Sequence, residues 1–240
     1  MSKDFAGTAD VNGAKVYVEA SGSGPGLVFI HAGVADSRMW DAEFAAFADR
    51  FRVVRFDIRG FGRSPMVPGD FAYYDDVPAV MDAAGLSSAV LVGCSFGANI
   101  AIDTCFAHPG RVRGLVAVAP GLGLMDDDPD VQKFGEEEDE LLSKGDLEGA
   151  TELNLRMWVD GPFRQPGEVS AEVRERVRVM QMDAFRIPMP EGVRRLRLDP
   201  PASERLGQIK VPALVVVGAM DLPALFRIAG MFEATVPGAR

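Results

Sequence analysis

The pentapeptide Gly93-Cys94-Ser95-Phe96-Gly97 has the form G-x-S-x-G and lies between an apolar run at residues 89–92 and a helix-like stretch at 98–106. In a strand–turn–helix setting this pattern lifts a serine hydroxyl out of a turn too tight for bulky neighbours, hence the flanking glycines. The chemistry open to such a hydroxyl is attack on an acyl carbon, with a covalent acyl intermediate. Negative charge then builds on the former carbonyl oxygen, and two backbone N–H groups aimed at that point are the usual answer. Phe96, which follows the serine and opens the helix, is expected to supply one of them together with the helix dipole. Taken alone, the pentapeptide also reads as an ordinary strand followed by a tight turn.

A serine hydroxyl is a poor nucleophile without a base. The histidines are His31, after the third predicted strand, and His108, before Pro109-Gly110 at the end of the helix. His31 falls on the oxyanion side of the serine and is expected to hold its loop by hydrogen bonds. His108 is expected to face solvent at the far side of the sheet. Cys94 and Cys105 are too few for a disulfide framework and read as reduced, buried and structural.

The elements that must position these groups follow from local pattern. Residues 8–11 and 15–19 alternate in polarity around Asn12-Gly13, which predicts an opening hairpin. Apolar strands are predicted at 27–30, 52–58, 89–92, 114–119 and 211–217, and helices at 39–51, 73–84 and 98–107. Strand–helix alternation of this kind gives an α/β fold, a mostly parallel sheet with flanking helices. It is interrupted after Pro120 by a charged, Met-containing segment with helix-like stretches at 147–158 and 169–185. In the second stretch Val169, Val173, Val177 and Met180 share one predicted apolar face. The segment reads as an inserted helical cap, or as a peripheral excursion with no part in substrate choice.

Four stretches together resemble the α/β-hydrolase superfamily, in particular small capped bacterial serine hydrolases such as lactonases, carboxylesterases and perhydrolases. They are His31-Ala32-Gly33, residues 57–64 (DIRGFGRS), the turn at Ser95, and Gly218-Ala219-Met220-Asp221. The resemblance implies a first part of the core at 1–120, a cap at 121–206 and a second part of the core at 207–240. It implies Gly33 as the second oxyanion donor and Asp221 as the acid of a Ser–Asp–His triad, although Asp221 also suits a helix N-cap. Residues 57–64 are expected to be structural, with Asp57 and Arg59 bonding nearby backbone. The family places its histidine in a loop after one further strand, downstream of the acid. Here the sequence stops at Val236-Pro237-Gly238-Ala239-Arg240, and the second part of the core is expected to be incomplete. An impaired hydrolase follows, with residues 213–217 as an exposed sheet edge open to homodimer formation.

Nine carboxylates crowd residues 126–140 against the single Lys133, which reads as a solvated face rather than a metal loop. Later arginines of the cap are expected to pair with it. Trp158, Met157 and Phe185 are candidates to wall an apolar acyl pocket, or else plain cap core. A formal charge of −10 opposes binding to nucleic acid or an anionic membrane. No segment has the length of a signal peptide or a membrane span, and a cytoplasmic protein is expected. The function implied is cleavage of a small carboxylic ester or lactone with no cofactor and no metal. The alternatives are a catalytically silent shortened fold, or carbon–carbon hydrolysis or peracid formation by the same triad.

Overall fold

Asn12 and Gly13 adopt φ of 47° and 81°, folding β1 (Phe5–Val11) back onto β2 (Ala14–Ser21) as the dipeptide predicts. The computed structural model describes residues 4–125, 128–165 and 167–240. From the hairpin the chain runs through β3 (Gly26–Ile30), α1 (Asp41–Phe47), β4 (Arg52–Phe56), β5 (Gly69–Phe71), α2 (Tyr73–Ala83), β6 (Ala89–Cys94), α3 (Phe96–Ala107) and β7 (Val112–Val118). Three helices follow, α4 (Pro129–Ser143), α5 (Leu147–Asn154) and α6 (Ala171–Phe185), then β8 (Val193–Arg195), β9 (Ala213–Val216) and α7 (Pro223–Thr235). The main sheet has the order β1-β2-β4-β3-β6-β7-β9, parallel from β4 onward.

Alternation along the central strands splits the core in two. Leu27, Phe29 and Val53 turn to the face covered by Trp40, Phe44 and Phe47, whereas Val28, Ile30, Val54 and Phe56 turn to the face where Val77, Val80, Ala98 and Ile102 of α2 and α3 pack. Burial on both faces explains why these strands read as continuous apolar runs.

The predicted helix at 39–51 is shorter and broken. A 3₁₀ turn, Ser37–Trp40, comes first because the Asp36 carboxylate accepts the Arg38 N–H at 2.9 Å, and α1 stops at Phe47, whose carbonyl accepts from both Arg50 and Phe51. The acidic run contributes a helix, α4, capped by Asp128 with Pro129 in its first turn. Asp126 and Asp127 lie outside the described residues.

The apolar face expected of α6 is buried only in part: Met180 is buried and Val177 half-buried. Val173 and Val179 are exposed, while Arg174 and Arg178 turn inward onto Glu152 of α5 at 2.9 and 2.6 Å. Arg174 also holds Asp160, and Arg176 and Arg194 meet Asp41 and Asp70, so these arginines pair with carboxylates outside residues 126–140. This follows from geometry: α6 packs on α5 through guanidinium stems, which bury methylenes while their heads meet carboxylates.

Edge strand β9 exposes Leu214 and Val216, as expected, but part of its hydrogen-bonding rim is occupied. The Val215 N–H donates to the Arg240 carbonyl at 2.8 Å and the Arg240 N–H to the Ala213 carbonyl at 3.3 Å. No helix among the described residues is long and apolar enough to cross a membrane.

Candidate active site

Ser95 takes φ 51° and ψ −111° between β6 and α3, a conformation that costs a residue with a Cβ about 1–3 kcal/mol. Three hydrogen bonds hold it there. The Ser95 N–H donates to the Val118 carbonyl at 2.8 Å, extending the sheet by one residue, and its carbonyl accepts from Ala98 and Asn99 at 3.0 and 3.1 Å, starting the helix. The flanking glycines are sterically obligatory. A Cβ on Gly93 would stand 2.3 Å from the Gly97 carbonyl oxygen, and one on Gly97 2.3 Å from that of Ile30.

The same close approach brings the loop after β3 against the elbow. A Cβ on Gly33 would lie 3.6 Å from the Cβ of Phe96, so the two expected oxyanion donors are neighbours. As the first residue of α3, Phe96 has no intrahelical acceptor for its N–H. His31 is buried beneath this loop with both ring nitrogens engaged: Nδ1 lies 2.7 Å from the Ala32 carbonyl and Nε2 accepts the Ile58 N–H at 2.9 Å. The ring is therefore the Nδ1–H tautomer, and burial pulls its pKa below the ordinary histidine value. His108 pairs with Asp75 at 2.7 Å beyond the far end of α3. Neither imidazole faces Ser95.

Asp57 anchors the next loop, accepting the Ser37 N–H at 3.0 Å and the Arg63 N–H at 2.8 Å. Hydrogen bonds from Ser37 and Arg63 overcome its desolvation and hold the carboxyl below the usual carboxylate range. Arg59 reaches the Val11 carbonyl, but its main partner is Asp76 of α2, in a buried bidentate pair at 2.9 and 3.0 Å. Asp57 thus bonds backbone N–H groups as expected, whereas Arg59 is held chiefly by a side chain.

Cys94, Val118 and Val216 form one row across the carboxyl ends of β6, β7 and β9. Asp221 follows five residues after Val216 in a turn closed by its N–H to the Gly218 carbonyl at 3.0 Å. One carboxylate oxygen accepts the Leu222 N–H at 2.9 Å; the N-cap position of α7 is Leu222, so Asp221 is not the helix cap. Its charge is felt at Cys94, whose thiol is pushed up to about 11 by burial and then by Asp221. Cys105 is pushed up to about 12 by burial. Both cysteines are free thiols; Cys105 is buried as expected, whereas Cys94 is only half-buried because it lies at the carboxyl end of its strand.

The sequence pattern of the alpha/beta hydrolase fold matches residues 25–160, more than half of the chain. The chain belongs to the α/β-hydrolase fold family. Among its relatives, a zearalenone hydrolase from Cladophialophora bantiana is 35% identical over 112 residues, 42% of each chain. Carboxylesterase YbfK from Bacillus subtilis is 31% identical over 132 residues, 51% of this chain and 44% of the relative. The matches thus span less than half the length of these relatives. A hydrolase from Pseudomonas aeruginosa PA01 superposes with a TM-score of 0.74 at 25% identity, covering 99% of this chain and 88% of the other.

In this α/β-hydrolase the helices after Pro120 touch loops at the carboxyl ends of the strands. A cavity of about 300 Å³ opens between α4, the π-helical turn Leu155–Asp160 and Leu222, with Phe134, Met157 and Pro162 in its wall. Met157 stands in that wall, which does not include Ser95, Phe96, Gly33 or Asp221. Trp158 does not line this cavity; it packs edge-on against Phe134 at 5.2 Å and against the main hydrophobic core. Phe185, the last residue of α6, is half-buried and also lies outside that wall. Beside Phe96 stand groups that sequence reasoning did not single out: Phe61 at 6.1 Å and Tyr73 at 5.2 Å between ring centres, and the Arg195 guanidinium over the ring. Only the β5–β8 pairing brings Arg195 there, and no local pattern announces it. The described residues contain no cluster of three or more metal-ligating side chains.

Proposed function

We propose that this chain carries the acyl-transfer centre of a serine hydrolase acting on a small carboxylic ester or lactone. Ser95 attacks the acyl carbon, the N–H groups of Phe96 and Gly33 hold the oxyanion, and Asp221 orients an imidazolium. Residues 121–206 form the cap over this centre, and 1–120 with 207–240 the core. The carrying observation is the positive φ of Ser95 at a corner where neither neighbouring glycine tolerates a Cβ and where Gly33 meets Phe96. The carboxylesterase relative supports the substrate class.

The base is the component that His31 and His108 do not supply. His31 spends both nitrogens on backbone groups, and His108 is held by Asp75. Loss of one triad member costs about 10⁶ in turnover, leaving roughly 10³–10⁴ over water, so the 240-residue polypeptide is a slow esterase. The same observation favours, as a second reading, a silent fold that binds esters without cleaving them. Mass spectrometry after fluorophosphonate treatment decides between them. For the hydrolase, label accumulates slowly on Ser95, free imidazole accelerates it, and Ser95→Ala abolishes it. Absence of label on Ser95 with imidazole present would leave only the silent fold.

A further inference from the structure

Pairing of β8 with β5 sets Arg195 opposite Phe71. Its guanidinium carbon lies 4.9 Å from the ring centre of Tyr73 and 5.2 Å from that of Phe96. The two rings meet edge to face, an aromatic corner on which the cation rests. Phe96 is the residue after Ser95 and its Cβ lies beside Gly33, so one residue carries the cation on its ring and neighbours the oxyanion side of the site.

Arg195 differs from its neighbour. Arg194 points away and is paired with Asp70, whereas Arg195 hydrogen-bonds to no carboxylate among the described residues. Asp103, two turns along α3 from Phe96, is felt only through space. Packing around the head group pulls its pKa below the ordinary arginine value, although the side chain as a whole stays open to solvent. A guanidinium held by ring contacts and by no carboxylate has N–H donors left over, and its fork matches a carboxylate. The surrounding protein carries a formal charge of −10 and repels anions at long range, so an anionic group entering the site needs a local cation.

We infer that Arg195 is a specificity-determining residue that grips a free carboxylate on the acyl part of the substrate. This rests on the acyl-transfer reading of Ser95 and narrows it to esters or lactones that carry a carboxylate a short carbon chain from the scissile carbonyl.

Monomethyl glutarate and dimethyl glutarate differ by little more than the charge, and calorimetric titration of the 240-residue protein with each tests the inference. The monoester binds about tenfold tighter or more, in line with a charge-assisted hydrogen bond. Arg195→Gln brings that ratio to about one while leaving the diester unchanged, and Arg195→Lys restores part of it because the charge remains but the fork is lost. Gly33→Val weakens both esters alike, placing them on the oxyanion side. A ratio near one in the unmodified protein, or equal loss of both esters in Arg195→Gln, overturns the carboxylate grip and leaves the ester site standing. Failure of both esters to bind at all sinks the acyl-transfer reading and this inference with it.

Discussion

Arg38 and Asp183 tie the loop after β3 to helix α6, with Nη2 and Oδ2 at 2.8 Å, while the same guanidinium grips Asp36 through Nε and Nη2. Arg176 of α6 makes a parallel tie to Asp41 and to the Arg38 carbonyl. The segment bearing Gly33 and the helix above it are therefore joined by two ion pairs. Both partners of the first pair are 40% exposed, so solvent screens the attraction strongly. Asp183→Asn and Arg176→Gln should each lower stability by about 0.5 kcal/mol. Hydrogen exchange should meanwhile quicken in α6 and residues 31–41 but not in β3 or β6. Unchanged exchange in both segments would show that the ties hold nothing.

Gly97→Ala should be severely destabilising, by about 3 kcal/mol or more, because its Cβ meets the backbone oxygens of Ile30 and His31 at 2.3 and 2.5 Å and neither strand nor helix can yield. Gly135→Ala in α4 and Gly230→Ala in α7 meet nothing within 4 Å and should stabilise by about 0.5–1 kcal/mol through helix propensity. Urea midpoints of the three variants test this contrast.

Burial raises the Asp103 carboxyl to about 6, opposed only by Arg195. A carboxyl with a folded pKa above its unfolded value of 3.8 binds its proton more tightly in the native state. Its contribution is full below pH 3.8 and is lost as the pH rises through about 6. Asp103→Asn should therefore stabilise the protein at pH 7 by about 2 kcal/mol, once partial exposure is allowed for, and should gain nothing at pH 3.5. Difference curves of Tm against pH for the two proteins check both the sign and the window.

For His31 the sign reverses. Its folded pKa lies below 6.5, so its contribution is present above pH 6.5 and is lost as the pH falls from there toward the folded value. His31→Ala should cost about 2–4 kcal/mol at neutral pH, since it opens a cavity and leaves the Ile58 N–H and the Ala32 carbonyl without partners. A variant that melts like the parent, yet has lost Ser95 labelling, would instead make His31 the base.

Much of the frame is legible from local pattern because its causes are local. Asn12-Gly13 turns the hairpin by backbone freedom alone, and the runs at 27–30 and 89–92 are apolar because both faces of those strands are covered. Residues 169–185 mislead in part for the opposite reason: of the expected stripe Met180 is buried but Val173 is exposed, because the partner helix presents Glu152, and a carboxylate draws arginines inward. Residue type alone does not place Met157, Trp158 and Phe185: the packing of α4 sets Trp158 edge-on against Phe134 and Met157 in the wall of the cavity beside α4.

The sequence by itself determined the elbow, because the need for glycine at 93 and 97 and for a turn at Ser95 is written within five residues. Tertiary structure alone decided what stands around it: the contact of Gly33 with Phe96, the backbone bonds that occupy His31, and the placement of Arg195 on two rings through pairing of strands more than a hundred residues apart. The physical reason is range. Backbone strain and apolar alternation are properties of neighbours in sequence, whereas burial, charge pairing and approach to a reacting centre depend on which distant segments the fold brings together.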